Sequence, residues 1–171
     1  MIIDRDGVDG FNIRKLGEAL GVNGASLYHH YENKTAIFED TARLVLSKVE
    51  PPNPFEDDFV ESAVRSSHGY RDALLTHPNA IPLMLQRRPS EGRPLAIAHL
   101  VTGFTRYGVS LQHALWGIES LESLVIGSAL VQSSRDQDGQ DAKAKAKAAN
   151  KERAYFEGTL RAVLASIISR K

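Results

Sequence analysis

Apolar side chains recur at intervals of three and four residues along almost the whole chain, and no stretch alternates between turn signals as a half-buried strand does. This spacing is typical of amphipathic helices, whose apolar side chains fall on one face. The run Pro51-Pro52-Asn53-Pro54 interrupts the pattern, because successive prolines cannot continue a helix. The sequence therefore predicts an all-α protein with two domains, residues 1–50 and residues 51–171.

The first domain contains two short helical segments with a tight connection between them. Residues 12–20 carry an apolar face and are followed by Gly21, a residue that readily adopts the left-handed conformation that ends helices. A second short helix is expected over residues 25–31. Asn33 suits the N-cap of a third helix that reaches about Val49. This arrangement predicts a helix-turn-helix.

The exposed faces of these segments carry groups that can contact DNA. Hydroxyl and imidazole groups donate hydrogen bonds to phosphates and base edges, and the free N–H groups at a helix start favour an anionic phosphate. The candidates are Asn12, Arg14, Lys15, Ser26, Tyr28, His29 and His30. Local charge does not add to this signal, because residues 1–50 hold six basic and eight acidic side chains. The geometry alone leaves DNA binding and an ordinary helical module equally open.

The second domain predicts longer helices. The expected segments are residues 55–77, 95–107, 111–131 and 155–168, with Ser110 as the cap of the third. The third segment is apolar on more than one face and therefore needs two partners. Residues 133–150 lack large apolar side chains and predict a mobile loop.

Several classes of function are disfavoured by what the sequence lacks. It has no cysteine, which excludes a disulfide framework, a thiolate zinc site and a cysteine nucleophile, and favours a cytoplasmic protein. It has no strong catalytic motif, and its six histidines are scattered apart from one adjacent pair. We expect no enzymatic activity, cofactor, metal site, signal peptide or membrane partner.

Two runs of residues carry a family resemblance. Residues 7–22, followed by Leu27-Tyr28-His29-His30-Tyr31 and Asn33-Lys34, resemble the DNA-binding domain of the TetR (tetracycline-repressor) family. Residues 70–77, Arg88-Pro89 and residues 108–115 more faintly resemble the ligand domain of the tetracycline-repressor subgroup. The resemblance implies a homodimeric repressor that binds a palindromic double-stranded DNA operator and is released by a small-molecule effector.

The resemblance also implies roles for single residues. It places Arg14 at a base edge, and it places Asn12, Ser26, Tyr28, His29 and Lys34 at phosphates or bases. It assigns the helices over residues 110–131 and 154–168 to a four-helix bundle between two protomers. The candidate dimerisation residues are Leu121, Leu124, Val125, Phe156, Leu160 and Leu164.

Two departures from the family pattern change these expectations. Only residues 1–5 precede the turn at Asp6–Gly10, so the DNA-binding domain is expected to be incomplete at its N-terminus. Residues 83–87 lack the histidine that helps tetracycline repressors bind a drug–magnesium chelate, so we expect an apolar effector without a metal. The candidate ligand-binding residues are Tyr70, Leu74, Met84, Phe104 and Trp116. The alternative is an all-helical small-molecule-binding or protein-interaction module without DNA binding.

Overall fold

The computed structural model describes residues 2–85, 94–136 and 142–169, and over these ranges it contains helices and no strand. The all-α prediction is confirmed. The elements are α1 (Ile2–Asp6), α2 (Ile13–Leu20), a 3₁₀ helix (Gly24–His29), α3 (Lys34–Leu46), α4 (Phe59–Thr76), a second 3₁₀ helix (Pro78–Ala80), α5 (Ile81–Leu85), α6 (Pro94–Arg106), α7 (Leu111–Asp136) and α8 (Ala142–Ser169).

Side-chain caps fix the ends of the N-terminal helices. The side chain of Asn12 accepts a hydrogen bond from the backbone N–H of Lys15 at 2.9 Å, and Asn33 caps α3 in the same way. Gly21 ends α2 with a φ of +69°, a conformation that glycine adopts without steric cost. A Cβ at Gly17 would lie 2.8 Å from the carbonyl oxygen of Val22, so the following turn can fold onto α2 only because residue 17 is glycine.

The second short segment differs from its prediction in helix type. It forms a 3₁₀ helix instead of the expected α-helix. The side chain of Asn23 caps this helix by accepting a hydrogen bond from the backbone N–H of Ala25. The hydroxyl of Ser26 donates a hydrogen bond to the backbone carbonyl of Asn23 at 2.6 Å. These short-range bonds stabilise a tight turn and support a 3₁₀ run that, at six residues, is longer than most.

The prediction of a mobile loop over residues 133–150 is wrong for residues 133–136 and 142–150, and its remaining residues lie outside the described part of the chain. Helix α7 continues to Asp136 and α8 begins at Ala142, so most of this polar segment is helical. Alanine and lysine are strong helix formers, and a lack of large apolar side chains does not prevent helix formation. Arg135 and Glu152 form an ion pair that joins the two helices near the connection.

Helix α7 lies at the centre of the C-terminal bundle and packs against α4, α6 and α8. By length and composition alone, the segment Leu111–Arg135 would suffice to span a membrane. Apolar core helices of helical bundles share these properties, and Leu121 and Val125 are buried against neighbouring helices. Most of the buried apolar residues form one continuous cluster that extends from Ile3 to Ile167, so the N-terminal helices α1 and α3 share a core with the bundle.

A buried polar cluster joins α4, α7 and α8. Arg71 is 2% exposed, and its guanidinium donates to the side chains of Ser128 and Gln132. Its other contact is the ring of Phe156, 5.0 Å away, and His68 packs edge-on against the same ring. Burial lowers the pKa of Arg71, and burial followed by the nearby charge of Arg153 lowers the pKa of His68.

The lowered pKa of His68 predicts that acid destabilises the protein. The charged groups around it are Arg71 and Asp72 on α4 and Arg153 and Glu157 on α8. Because folding favours the neutral imidazole, the unfolded chain takes up a proton first, and the free energy of unfolding falls as the pH drops below about 6.5. His68→Phe keeps a ring against Phe156 and cannot be protonated, so its thermal midpoint should fall less between about pH 7 and about pH 5.

The matched control is His29→Phe, which changes an exposed histidine. The thermal midpoint of this variant should change with pH as that of the unmodified protein does. Equal pH dependence in His68→Phe and the unmodified protein would contradict this account of His68.

Candidate functional site

The 3₁₀ helix Gly24–His29 carries a polar edge at the surface of the N-terminal unit, residues 1–50. Leu27 is buried beneath it, whereas Tyr28 is 58% exposed and His29 and His30 are exposed beside it. The Arg14 side chain is 86% exposed on α2, with its Nε 3.4 Å from a carboxylate oxygen of Glu18. These groups can reach a ligand outside the protein without breaking a buried contact.

Three of the predicted DNA contacts already make internal bonds. Asn12 caps α2 and Ser26 bonds to the carbonyl of Asn23, although both side chains keep further hydrogen-bonding capacity. The Nζ of Lys15 lies 2.8 Å from a carboxylate oxygen of Asp6 and 3.1 Å from the carbonyl oxygen of Gly10. Lys15 is therefore paired within the protein, and its role in DNA binding stays a prediction.

Lys34 stands over two aromatic rings at the start of α3. Its Nζ lies 5.5 Å from the ring centre of Phe11 and 5.0 Å from that of Phe38, and these rings pack edge to face. The residue itself is exposed, so its ammonium is held near the surface and remains open to solvent. This position suits a phosphate contact.

An interior cavity lies between α4, α6 and α7. Its volume is about 20 Å³, which is room for about one water molecule. Apolar side chains form most of its wall, together with the hydroxyl-bearing residues Ser66, Ser67 and Tyr70 and the buried Glu122. An effector larger than water can enter only if these helices move apart.

The structure does not bring the five predicted ligand-binding residues together. Tyr70 lines the interior cavity, while Leu74 and Phe104 are completely buried in the core and do not line it. Trp116 is 53% exposed in a groove between α7 and α8, because it lies on the face of α7 that turns away from the cavity. The Met84 side chain lies outside the part of the chain that the structure describes.

Two surface grooves follow the α7–α8 pair. The first, of about 510 Å³, contains Leu124, Gly127 and Val131 of α7 and Tyr155 of α8, with a largely apolar lining. The second, of about 270 Å³, contains Trp116. The groove residues of α7 are 113, 116, 117, 120, 123, 124, 127, 128, 131 and 135, a helical stripe with steps of three and four. We call this surface the α7–α8 face.

Most of the predicted dimerisation residues are buried inside one protomer. Leu121, Val125, Leu160 and Leu164 are at most 3% exposed and belong to the core cluster. Leu124 is half-buried and lines the first groove, as does the buried Phe156. The sequence pattern therefore selected mainly side chains that pack within their own chain, and the dimerisation role of the two helices stays a prediction.

Family models match both parts of the chain. The model described as "Bacterial regulatory proteins, tetR family" matches residues 1–41, and the model described as "Tetracyclin repressor-like, C-terminal domain" matches residues 51–168. The class D tetracycline repressor protein of Escherichia coli is 27% identical over 133 residues, which are 77% of this chain and 61% of the repressor. The class A protein from transposon 1721 of Escherichia coli is 24% identical over 80% of this chain and 64% of its own length. The chain thus spans less than two thirds of these relatives.

Solved structures share the fold. A TetR variant from Acinetobacter baumannii AYE in complex with minocycline aligns with a TM-score of 0.80 at 24% identity, over 96% of this chain and 89% of that one. ActR of Streptomyces coelicolor in complex with actinorhodin aligns with a TM-score of 0.78 at 23% identity, over 98% and 91% of the two chains. BioQ with its double-stranded DNA operator gives 0.72 at 20% identity, over 98% and 92%.

The family matches cover both the helix-turn-helix segment and the helical bundle that contains the cavity and the α7–α8 face. The chain therefore belongs to the TetR family of bacterial regulatory proteins, with a C-terminal domain like that of the tetracycline repressors.

Proposed function

We propose that the protein is a cytoplasmic, non-enzymatic transcriptional repressor that binds a palindromic operator as a homodimer and is released by a small effector. We assign DNA binding to residues 1–50, and dimerisation and effector binding to residues 51–171. Family membership supports this proposal, and the structure adds an exposed polar edge on one unit and an uncovered apolar face on the other.

The observation that carries the proposal is the exposed edge formed by Tyr28, His29 and His30. Core packing explains the inward-facing Leu27 but gives no reason for an aromatic hydroxyl and two imidazoles on the outer side of so short a helix. Hydrogen-bond donors of this kind recognise phosphates and base edges in a major groove. We propose that Arg14 and Lys34 flank this edge on the DNA.

The α7–α8 face suits a second copy of the chain. Its α7 stripe alternates large apolar side chains with small exposed residues such as Ser120, Ser123 and Gly127, which allow helices to approach closely. A two-fold axis through this face would form a four-helix bundle from α7 and α8 of each protomer. The Gly24–His29 helices of the two protomers would then have to lie about 34–36 Å apart to enter successive major grooves on one face of the DNA.

We place the effector in the interior cavity between α4, α6 and α7. Its mostly apolar wall supports a largely apolar effector, and the hydroxyls and Glu122 add groups that can orient a polar substituent. Because the cavity holds only about one water molecule, effector binding has to widen it. Widening of the cavity would move α4, and we propose that this movement carries the signal of effector binding.

Two ion pairs favour the alternative of a helical module that does not bind DNA. Asp6 neutralises Lys15, and Glu18 lies against Arg14, so the N-terminal unit offers fewer cations to a phosphate backbone than its composition suggests. The DNA-binding experiment below separates the two functions.

The first prediction concerns dimerisation. A Cβ at Gly127 would meet nothing within 4 Å in its own protomer, so Gly127→Glu should leave the fold intact and place a charge in the first groove. Burying that unpaired charge between two protomers is unfavourable, and the variant should be a monomer at micromolar concentration by sedimentation velocity.

The matched control is Gly158→Glu on α8. Gly158 also has open space around it but lies outside both grooves, so this variant should sediment as a dimer like the unmodified protein. A monomeric unmodified protein, or a dimeric Gly127→Glu variant, would contradict the proposed interface.

The second prediction concerns DNA. On palindromic fragments from the promoter next to its own gene, Arg14→Ala and Tyr28→Ala should each weaken binding by about 1–3 kcal/mol, because each removes a contact to the duplex. Lys34→Ala should weaken binding to all sequences alike and reduce the salt slope by about one, as expected for a lost phosphate contact. Fluorescence anisotropy at several salt concentrations measures both effects.

Lys48→Ala, an exposed lysine beyond the end of α3, is the control and should leave the operator affinity unchanged. If the unmodified chain binds these fragments no better than random duplex at physiological salt, the non-DNA-binding module becomes the better account.

A further inference from the structure

Asp4 connects helix α1 to the C-terminal bundle through hydrogen bonds. The Nδ1 atom of His77, the residue that follows α4, lies 3.1 Å from each carboxylate oxygen of Asp4. The side-chain amide of Asn79 donates to the backbone carbonyl of Asp4 at 2.8 Å. Both contacts connect residues more than seventy positions apart. We call Asp4, His77 and Asn79 the Asp4 clamp.

The other end of α1 is bonded to the helix-turn-helix. The carboxylate of Asp6 accepts a hydrogen bond from Lys15 on α2 at 2.8 Å, and Lys15 also bonds to the carbonyl oxygen of Gly10. Hydrogen bonds from Arg5 and Lys15 hold the pKa of Asp6 far below its ordinary value, so this carboxylate stays ionised. Ile3, between the two contacts, is 2% exposed in the shared core.

The contact between the two units is interrupted beside the clamp. A polar cleft of about 530 Å³ separates the turn at residues 6–9 from Pro82 and from Ser133 and Ser134 of α7. Although the surfaces diverge there, the Asp4 clamp and the packing of Ile2 and Ile3 hold α1 against this side of the bundle.

Helix α4 connects the clamp to the interior cavity. Tyr70 lines the cavity, and His77 lies seven residues further along, about 10 Å away for a helical rise. A helix transmits displacement along its axis because its backbone hydrogen bonds resist bending. A shift of α4 at Tyr70 therefore displaces His77.

We propose that α1 is a positioning link that sets the orientation of the helix-turn-helix relative to α4, with the Asp4 clamp on one side and the Asp6–Lys15 pair on the other. Movement of α4 is then passed through Asp4 and α1 to α2. The positional role depends only on the contacts described, while its consequence for operator binding rests on the proposed function.

The test measures the orientation directly in the full chain. The sequence contains no cysteine, so Ala19→Cys on α2 and Thr105→Cys on α6, both exposed, provide two unique spin-label sites. The labelled protein is diluted with excess unlabelled protein, so that a labelled protomer in any dimer pairs with an unlabelled one. Only the distance between the two labels of one protomer is then measured, whether or not the chain dimerises. Pulsed electron–electron resonance should give one narrow distance distribution in the unmodified background.

Asp4→Ala and His77→Ala should each broaden this distribution, because each removes the carboxylate–imidazole hydrogen bonding of the clamp. The exchanged variant Asp4→His with His77→Asp restores a carboxylate–imidazole pair and should narrow it again, a rescue that a general loss of stability would not give. Asp9→Ala, an exposed carboxylate of the neighbouring turn, is the control and should have no effect. Distributions that stay narrow in both single variants would overturn the proposal.

Operator affinity, measured on the same variants without labels, should fall by about two- to fivefold in the single variants, as expected for the loss of one part-exposed hydrogen bond, and should recover in the exchanged variant. If no variant binds DNA, the proposed function fails while the distance measurement still decides the positional role. Unchanged affinity together with broadened distances would show that operator binding does not depend on the clamp.

Discussion

Helix α7 is apolar around most of its circumference, and the rest of the bundle is arranged by the need to cover it. Ile118, Leu121 and Val125 are covered by neighbouring helices of the same chain. The stripe that contains Trp116, Gly127 and Val131 is not covered within the protomer and forms the α7–α8 face. One helix therefore separates the interior cavity from the face at which we propose that a second copy binds.

The polar cluster around Arg71 fixes the relative positions of the helices on both sides of α7. Its hydrogen bonds go to α7, and Phe156 of α8 packs on its guanidinium. Ser128 and Phe156 also line the first groove. A buried guanidinium is costly unless it is fully bonded, so this cluster permits few alternative registers of α4, α7 and α8. In the proposed dimer, α4 would thus be held from the interface side at Arg71 and linked to the helix-turn-helix at His77.

The sequence predicted features that depend on neighbouring residues and missed those that depend on the tertiary arrangement. The caps at Asn33 and Ser110 and the left-handed Gly21 follow from local chemistry and are present in the structure. Which side of α7 packs inside the chain and which side stays uncovered does not follow from periodicity, because Leu121 and Trp116 both satisfy a helical repeat. Polar composition suggested a loop at residues 133–150, although alanine and lysine favour a helix. The neutralisation of Lys15 depends on Asp6, whose approach is set by the turn between α1 and α2.

The central claim is that two copies of this chain each place the Gly24–His29 helix on one DNA duplex, at a fixed spacing from each other. Selection of binding sequences from a random duplex library tests it for any operator sequence. The account predicts enrichment of an inverted repeat whose half-site centres lie about 10 base pairs apart or a whole multiple of that distance. Enrichment of a single unpaired half-site, or no enrichment over the starting library, would contradict it.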